Sequence, residues 1–359
     1  MDSKIKVMLV DDSGVIRSVL TRILETDSNI NIISSVANGN IAVSMAKIKK
    51  PDIVLLDVEM PVMDGLTALP KILAASPKTK VIMCSSLTAK GADITIKAMT
   101  LGAVECVVKP SSAKDTGAGS EFQKNLINLI KALSSDNKPI TTNHVTKNTA
   151  IGRASPNTNV SFTLKDAPIH SIKPKILAIG SSTGGPNALF TMLKGLKNLA
   201  VPIVITQHMP ATFTTILAKH IQQNTGIETH EGEDGMIVEA GKAYVAPGGK
   251  HMLFKMNGAQ LKIQLSDGPA ENFCKPAVDP MFRSIVDIYG DKILGVILTG
   301  MGHDGLDGAQ KLTEKGGRLF AQDKATSVVW GMPGAVAMDG ICNKVLPIND
   351  LAQSIKNAL

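Results

Sequence analysis

Lys175 to Leu189 reads KILAIGSSTGGPNAL: an apolar run, a burst of Gly, Ser and Thr, and then helix-forming residues. A strand, turn and helix of this kind either cradles a dinucleotide phosphate or presents a nucleophile. The first use requires G-x-G-x-x-G and an acidic residue ending the next strand, about 20 residues on. Here Ser181 and Ser182 follow Gly180 where the second glycine belongs, and the next apolar run, VPIVIT, leads into Gln207 and His208. The dinucleotide use fails on both counts. In the second use a serine sits at the ligand edge of a parallel sheet, beside the free N–H groups of the following helix, which can stabilise an oxyanion. Gly184 and Gly185 permit close approach, and Pro186 suits a first helical turn.

The same strand and helix rhythm extends in both directions. Downstream, VPIVIT, ILGVILTG and RLFAQ read as buried strands, so residues 174–359 form an α/β domain. Within it YVAP, HMLFKM and LKIQL are split by Asn257-Gly258, a two-residue hairpin signal, and this hairpin is expected to extend the sheet. Upstream, KVMLV, NIISSV, DIVLL, VIMCSS and VECVV alternate with helical patterns such as VIRSVLTRILET, placing a first α/β domain at residues 4–125 with its final helix to about 133. The fold class is therefore α/β: two doubly wound parallel-sheet domains, the second with an added antiparallel hairpin. Between them, residues 134–173 are rich in Thr, Asn, Ser and Lys and almost free of large apolar side chains, the composition of a flexible linker.

A chain of 359 residues, 44% of them hydrophobic, buries a real core and suits two domains better than one. Its four cysteines show no paired spacing and no signal-peptide pattern opens the chain, so a reducing, cytoplasmic setting is expected. No apolar run approaches the roughly 18 residues of a membrane helix, which excludes direct membrane insertion. The net charge of +7 is scattered and aromatics are only 3%, too few for stacking platforms, so no nucleic-acid partner is expected.

A serine hydroxyl is inert until a base and an orienting group reach it. His208 ends VPIVITQH, and Asp304 follows ILGVILTG in GMGHDG, so Ser182, His208 and Asp304 each follow a different strand at one edge. Each has a simpler use alone: Ser182 as a helix N-cap, His208 as a loop histidine, Asp304 as a cap for the next helix. His303 and His251 are rival bases. Independent caps, however, need not coincide after three buried strands.

Acidic residues also collect in the first domain. Asp11 and Asp12 close its first strand, Asp57 its third, Ser85 and Ser86 its fourth, and Lys109 its fifth. Clustered carboxylates are hard oxygen ligands that repel one another without a cation, and with a hydroxyl and an ammonium beside them they could accept and hold a phosphoryl group. Over roughly residues 4–125 this set resembles the receiver domain of bacterial response regulators. The resemblance implies Asp57 as phosphoacceptor, Mg²⁺ held by Asp11, Asp12, Asp57 and the Glu59 main-chain carbonyl, Ser85 as switch hydroxyl and Lys109 as phosphate contact. Two positions depart from the pattern. Cys106 stands where an aromatic switch residue is usual, and Pro70 falls inside the third helix.

In the second domain IGSSTGGP, QHMP, YVAPGGKHM, ILTGMGHDG and VVWGMPG resemble the catalytic domain of chemotaxis response-regulator protein-glutamate methylesterases. That resemblance selects Ser182 over Ser181 as nucleophile, with His208 as base and Asp304 as its orienter; Thr183, Gly184 and Met301 are expected to supply oxyanion donors. Lys275 in NFCKP replaces an expected arginine. The implied activity is phosphorylation-activated hydrolysis of glutamate methyl esters, and deamidation of specific glutamines, on chemoreceptors. A chemotaxis histidine kinase would be the phosphodonor, Mg²⁺ would serve only the receiver, and ester hydrolysis would need no cofactor. On this expectation the unphosphorylated receiver covers the catalytic edge. The competing readings are a phosphorylation-gated adaptor without turnover and a receiver-linked transcription factor; the latter lacks a basic recognition helix.

Overall fold

A computed structural model of the chain describes residues 4–86, 88–110, 117, 119–134, 162–166 and 172–359. The chain divides into two compact units, 1–140 and 141–359. In the first, strands β1 (Ile5–Val10), β2 (Ile30–Val36), β3 (Ile53–Asp57), β4 (Lys80–Ser85) and β5 (Glu105–Val108) alternate with helices α1 (Gly14–Leu24), α2 (Gly39–Lys49), α3 (Gly65–Ala75) and α4 (Ala89–Thr100), and α5 (Glu121–Ser134) follows. All pairings are parallel, in the order β2-β1-β3-β4-β5. β3 is buried along its whole length, as a central strand with helices on both faces must be. Local chemistry starts the helices: Ser13, Asn38 and Asp64 each accept an N–H from the first turn of the helix that follows. α3 runs on through Pro70, giving up one helical donor there. The strand order reverses between β1 and β3, and the crevice at their carboxyl ends is where such sheets bind ligands.

The second unit contains β6 (Ile176–Ser181), β7 (Ile203–Gln207), β8 (Thr229–Glu231), β9 (Ala243–Val245), β10 (His251–Asn257), β11 (Gln260–Ser266), β12 (Ile293–Ile297), β13 (Arg318–Gln322) and β14 (Lys344–Leu346). Its helices are α6 (Gly185–Leu193), α7 (Phe213–Thr225), α8 (Val278–Tyr289), α9 (Leu306–Glu314), α10 (Met332–Met338) and α11 (Ile348–Ala358). Seven strands form a parallel sheet in the order β14-β13-β12-β6-β7-β9-β8. β6 therefore lies between β7 and β12, at the reversal of strand order. The apolar face of α8 (Val278, Met281, Phe282, Ile285) packs into the core around these strands, and burying each such side chain stabilises the fold by about 1.5–3 kcal/mol.

The hairpin departs from expectation in two ways. β10 and β11 pair as a separate two-stranded sheet and do not extend the main one. The extra edge is instead supplied by β8 and β9, three residues each and too short to show a periodicity. The turn is also shifted by one residue: Asn257 pairs with Gln260, so Gly258 and Ala259 are the central residues, with Gly258 at φ 60°. A glycine with positive φ at the first central position is what a type II′ turn requires.

Of the expected linker, residues 135–161 and 167–171 lie outside the described residues. Phe162 to Asp166 are held on the second unit. Lys165 N–H donates to the Cys342 carbonyl (2.9 Å), Lys165 Nζ donates to the Thr313 carbonyl (3.0 Å), and the Phe162 ring centroid is 6.4 Å from that of Trp330. No described helix is long and apolar enough to cross a membrane.

Candidate active site and phosphoacceptor site

Ser182 leaves β6 on a turn whose geometry is dictated by its neighbours. The α6 helix is capped by Gly184, at φ 75°, without a side-chain cap, so Ser182 is not the N-cap. A Cβ on Gly184 would lie 2.5 Å from Val328 Cγ2, and one on Gly185 would collide with Gln207 Oε1, so both glycines are required. The Ser182 N–H donates to the Thr299 carbonyl (3.0 Å), and Thr299 Oγ1 donates to the Thr183 carbonyl (2.9 Å). Among the described residues the N–H groups of Thr183, Gly184 and Met301 have no acceptor. Such free donors at a turn leading into a helix suit a developing oxyanion.

Ser181 is set aside by its environment: it is fully buried, and its hydroxyl donates to Gln207 Oε1 (2.7 Å). The same Gln207 amide donates to the Ser182 carbonyl (2.9 Å) and the His208 carbonyl (3.2 Å), tying the ends of β6 and β7 together.

His208 and Asp304 meet. Nε2 of His208 lies 2.7 Å from Oδ2 of Asp304, with the two side chains 12% and 2% exposed. Asp304 does not cap α9, whose N-cap is Gly305. It accepts instead from the Val278 and Asp279 N–H groups (2.6 and 3.2 Å) at the start of α8, where the helix dipole favours a negative charge. Burial pushes its pKa up, but His208, the Val278 amide and Asn272 outweigh burial and hold it below the usual carboxylate range. Burial likewise works against charge on His208, yet Asp304 and Cys274 prevail and raise its pKa above the ordinary imidazole value.

The rival histidines are elsewhere. His251 is buried, accepts the Ala277 N–H on Nδ1 (3.2 Å) and so donates from Nε2 to the Pro269 carbonyl (2.9 Å); His303 is exposed.

Several contributors were not anticipated. Asn272 Nδ2 donates to both Asp304 Oδ1 (3.1 Å) and Asp279 Oδ2 (2.9 Å), and Gly308 N–H donates to Asp279 Oδ1 (2.7 Å). Burial and the neighbouring Asp304 carboxylate push the Asp279 pKa up. Cys274 Sγ lies 3.3 Å from His208 Nδ1, and no hydrogen bond joins Ser182 Oγ to His208 among the described residues. Asp279, a carboxylate among the apolar residues of AVDPMF, was the one visible signal. Lys275 Nζ donates to the Gly268 carbonyl (3.3 Å).

At the first sheet, ligand atoms of Asp11, Asp12 and Asp57 lie within 4.8 Å of one another. Lys109 Nζ is 2.8 Å from Asp11 Oδ2 and 2.7 Å from Asp57 Oδ1. Asp11 Oδ2 is buried with the Lys109 ammonium as its partner, and three clustered carboxylates carry more negative charge than one lysine offsets, which a cation would balance. This donor set fits Mg²⁺. Burial raises the Asp57 pKa, against the pull of Lys109. Glu59 donates its N–H to Asp57 Oδ1 (3.4 Å) while its side chain pairs with Lys90 (3.0 Å). Ser85, one residue beyond the Asp57–Cys84 register pair, is buried with its hydroxyl donating to the Ser86 carbonyl (3.2 Å). Cys106 Sγ contacts Thr95 Oγ1 (3.7 Å), and burial pushes its thiol up to about 12.

Fold and side chains together define a receiver-type domain joined to an α/β domain that carries a serine turn beside a buried histidine–aspartate pair. Comparison with known proteins agrees. Residues 7–117 match the response regulator receiver domain, and residues 177–355 match the CheB methylesterase family. A protein-glutamate methylesterase/protein-glutamine glutaminase of Paramagnetospirillum magneticum is 48% identical, covering 97% of this chain and 94% of its own. One from Azospirillum brasilense is 46% identical, over 98% of this chain and 92% of its own. Among solved structures, the Thermotoga maritima CheB methylesterase catalytic domain is 39% identical with a TM-score of 0.51, covering 52% of this chain and 100% of that domain. The chain belongs to the receiver-linked CheB protein-glutamate methylesterase family.

Proposed function

We infer that this chain hydrolyses glutamate γ-methyl esters on chemoreceptors, deamidates specific receptor glutamines at the same centre, and is activated by phosphorylation of Asp57. The observation that carries the reading is the 2.7 Å His208–Asp304 contact beside the serine turn, at the point where the seven-stranded sheet reverses. Ser182 Oγ attacks the ester carbonyl as His208 Nδ1 takes its proton, and Asp304 stabilises the imidazolium through Nε2. The N–H groups of Thr183, Gly184 and Met301 receive the oxyanion. His208 returns the proton to the departing methanol. Water, deprotonated by the same histidine, then releases the glutamate and restores Ser182. For a glutamine the leaving group is ammonia.

In the receiver, Asp57 would accept a phosphoryl group from a histidine kinase of the chemotaxis class. Asp11, Asp12 and the Glu59 carbonyl, with Asp57, would hold Mg²⁺, which neutralises charge on the transferring group. Lys109 would contact the phosphoryl oxygens, and Ser85 would supply the switch hydroxyl. Acting on the cytoplasmic part of a receptor, the chain would work in the cytoplasm. A non-catalytic adaptor is not favoured, since relatives matching almost the whole chain carry enzyme names.

The test is methanol release from methylated receptor by wild type and Ser182→Ala, with and without a small phosphodonor and Mg²⁺. Release that requires Ser182 and rises with phosphodonor supports the reading. Full release by Ser182→Ala would refute the assignment of the nucleophile.

A further inference from the structure

No step of the esterase reaction uses Asp279, yet this carboxylate is buried as deeply as Asp304, the two being 1% and 2% exposed. It sits in the first turn of α8, among the apolar residues of AVDPMF. An acid there suits the helix dipole, but an exposed one would serve that purpose. Burying two carboxylates side by side costs free energy unless their oxygens find donors. The donors that Asp279 takes are the ones that hold the His208–Asp304 pair in place.

Oδ1 of Asp279 accepts the Gly308 N–H (2.7 Å), and the Gly305 N–H bonds to the same carboxylate. Both amides belong to the turn and first helical residues that follow Asp304, and Gly305, the N-cap of α9, brings no side-chain cap of its own. A Cβ on Gly308 would lie 2.6 Å from Phe282 Cβ, so this close approach of α9 to α8 requires glycine. Asp279 thus fixes the backbone on which Asp304 stands. Oδ2 of Asp279 accepts from Asn272 Nδ2 (2.9 Å), and the same amide nitrogen donates to Asp304 Oδ1 (3.1 Å). Asn272 is held there in the left-handed region, at φ 51°, a conformation that persists only where the surroundings impose it. Asp304 Oδ1 also accepts the Asp279 N–H (3.2 Å), while Oδ2 faces His208 Nε2 (2.7 Å) and the Val278 N–H (2.6 Å). Capping α9 would need only the first of these two arrangements.

Resting on the methylesterase reading, we propose that Asp279 is a positioning residue of the esterase: by clamping Asn272 and the turn after Asp304, it keeps Asp304 Oδ1 on amides and Oδ2 on His208 Nε2. Rotation of the Asp304 carboxylate would exchange its oxygens and loosen the imidazole ring. The clamp removes that freedom before the ester binds, so His208 is already oriented when Ser182 needs its base. Asp279 acts through Asp304 and takes no part in proton transfer.

The experiment measures kcat and KM on methylated receptor for the full chain with phosphodonor, and, without substrate, the low-field proton resonance of the His208–Asp304 hydrogen bond. Asp279→Asn keeps an oxygen for the Gly308 N–H but turns an amide towards that of Asn272. Its kcat is expected to fall about tenfold or more with KM unchanged, since a small misplacement of the dyad suffices. Asn272→Ala should give a loss of similar size, and the double variant should fall little further, because both changes break one bridge. The low-field proton should shift or broaden in each folded variant, which loss of a cap on α9 alone would not cause. An unchanged kcat or an unmoved resonance in folded Asp279→Asn, or losses that multiply in the double variant, overturns the proposal. If Asp279→Asn does not fold, Asn272→Ala decides on the same two readouts, since it breaks the bridge from the loop side. Ser182→Ala run in parallel separates the cases: methanol release surviving there means that the methylesterase reading itself has failed, whereas the resonance, read without substrate, still reports on the clamp.

Discussion

Nε2 of His208 lies 2.7 Å from Oδ2 of Asp304, and this single contact leaves Nδ1 as the ring nitrogen that Asp304 does not engage. The carboxylate both fixes the tautomer and lifts the imidazole pKa. Asp304→Asn should therefore have two separable effects. Turnover falls by about four orders of magnitude, the usual result of holding the wrong tautomer. The acid limb of kcat/KM moves to lower pH, because the raised pKa loses a main support. A pH-rate profile measured on both proteins checks this; an acid limb that stays in place would mean that Asp304 does not set the His208 charge.

Asn272→Ala removes a side chain that donates to both Asp304 and Asp279. Two buried carboxylates then face each other with fewer donors. A loss of about 1–3 kcal/mol in urea unfolding is expected, together with reduced kcat.

Gly184→Ala places a Cβ 2.5 Å from Val328 Cγ2 at a position with φ 75°. The left-handed conformation alone costs roughly 1–2 kcal/mol, and the clash adds to it. We expect a lowered urea midpoint and an esterase loss greater than unfolding explains, since the same turn presents Ser182.

Lys109→Met leaves Asp11 and Asp57 unpaired in the receiver. Burial already holds the Asp57 pKa above its ordinary value, and loss of the ammonium raises it further. A group whose folded pKa is raised contributes stability when protonated, and that contribution is lost as pH rises through the folded value. The variant should therefore be less destabilised at pH 5 than at pH 7.5, and Mg²⁺ should recover part of the loss at the higher pH. Receiver melting curves at the two pH values, with and without Mg²⁺, test the sign.

Much of this was legible in the chain. Long apolar strands such as ILAIGS and IVLLD announce themselves because a strand buried on both faces has little choice of residue. The parallel sheet then places strand-end residues at one edge, which is why Asp11 and Asp57, or His208 and Asp304, could be grouped before any distance was known. The hairpin was legible as a hairpin but not in its placement: pairing within a ribbon is local, whereas joining a sheet depends on which distant edge is free. β8 and β9 took that edge.

What the amino-acid sequence determined by itself was the set of elements, the edge at which chemistry gathers, and the residue types Ser, His, Asp and Lys that stand there. Tertiary structure alone decided which nitrogen of His208 faces Asp304, that Ser181 is buried against Gln207, and that Asn272 and Cys274 reach the dyad from a loop far along the chain. The physical reason is the range of the interactions. Burial and periodicity act on each segment and leave a local pattern, whereas hydrogen bonds between side chains 26 to 96 residues apart are set only when strands and helices have packed.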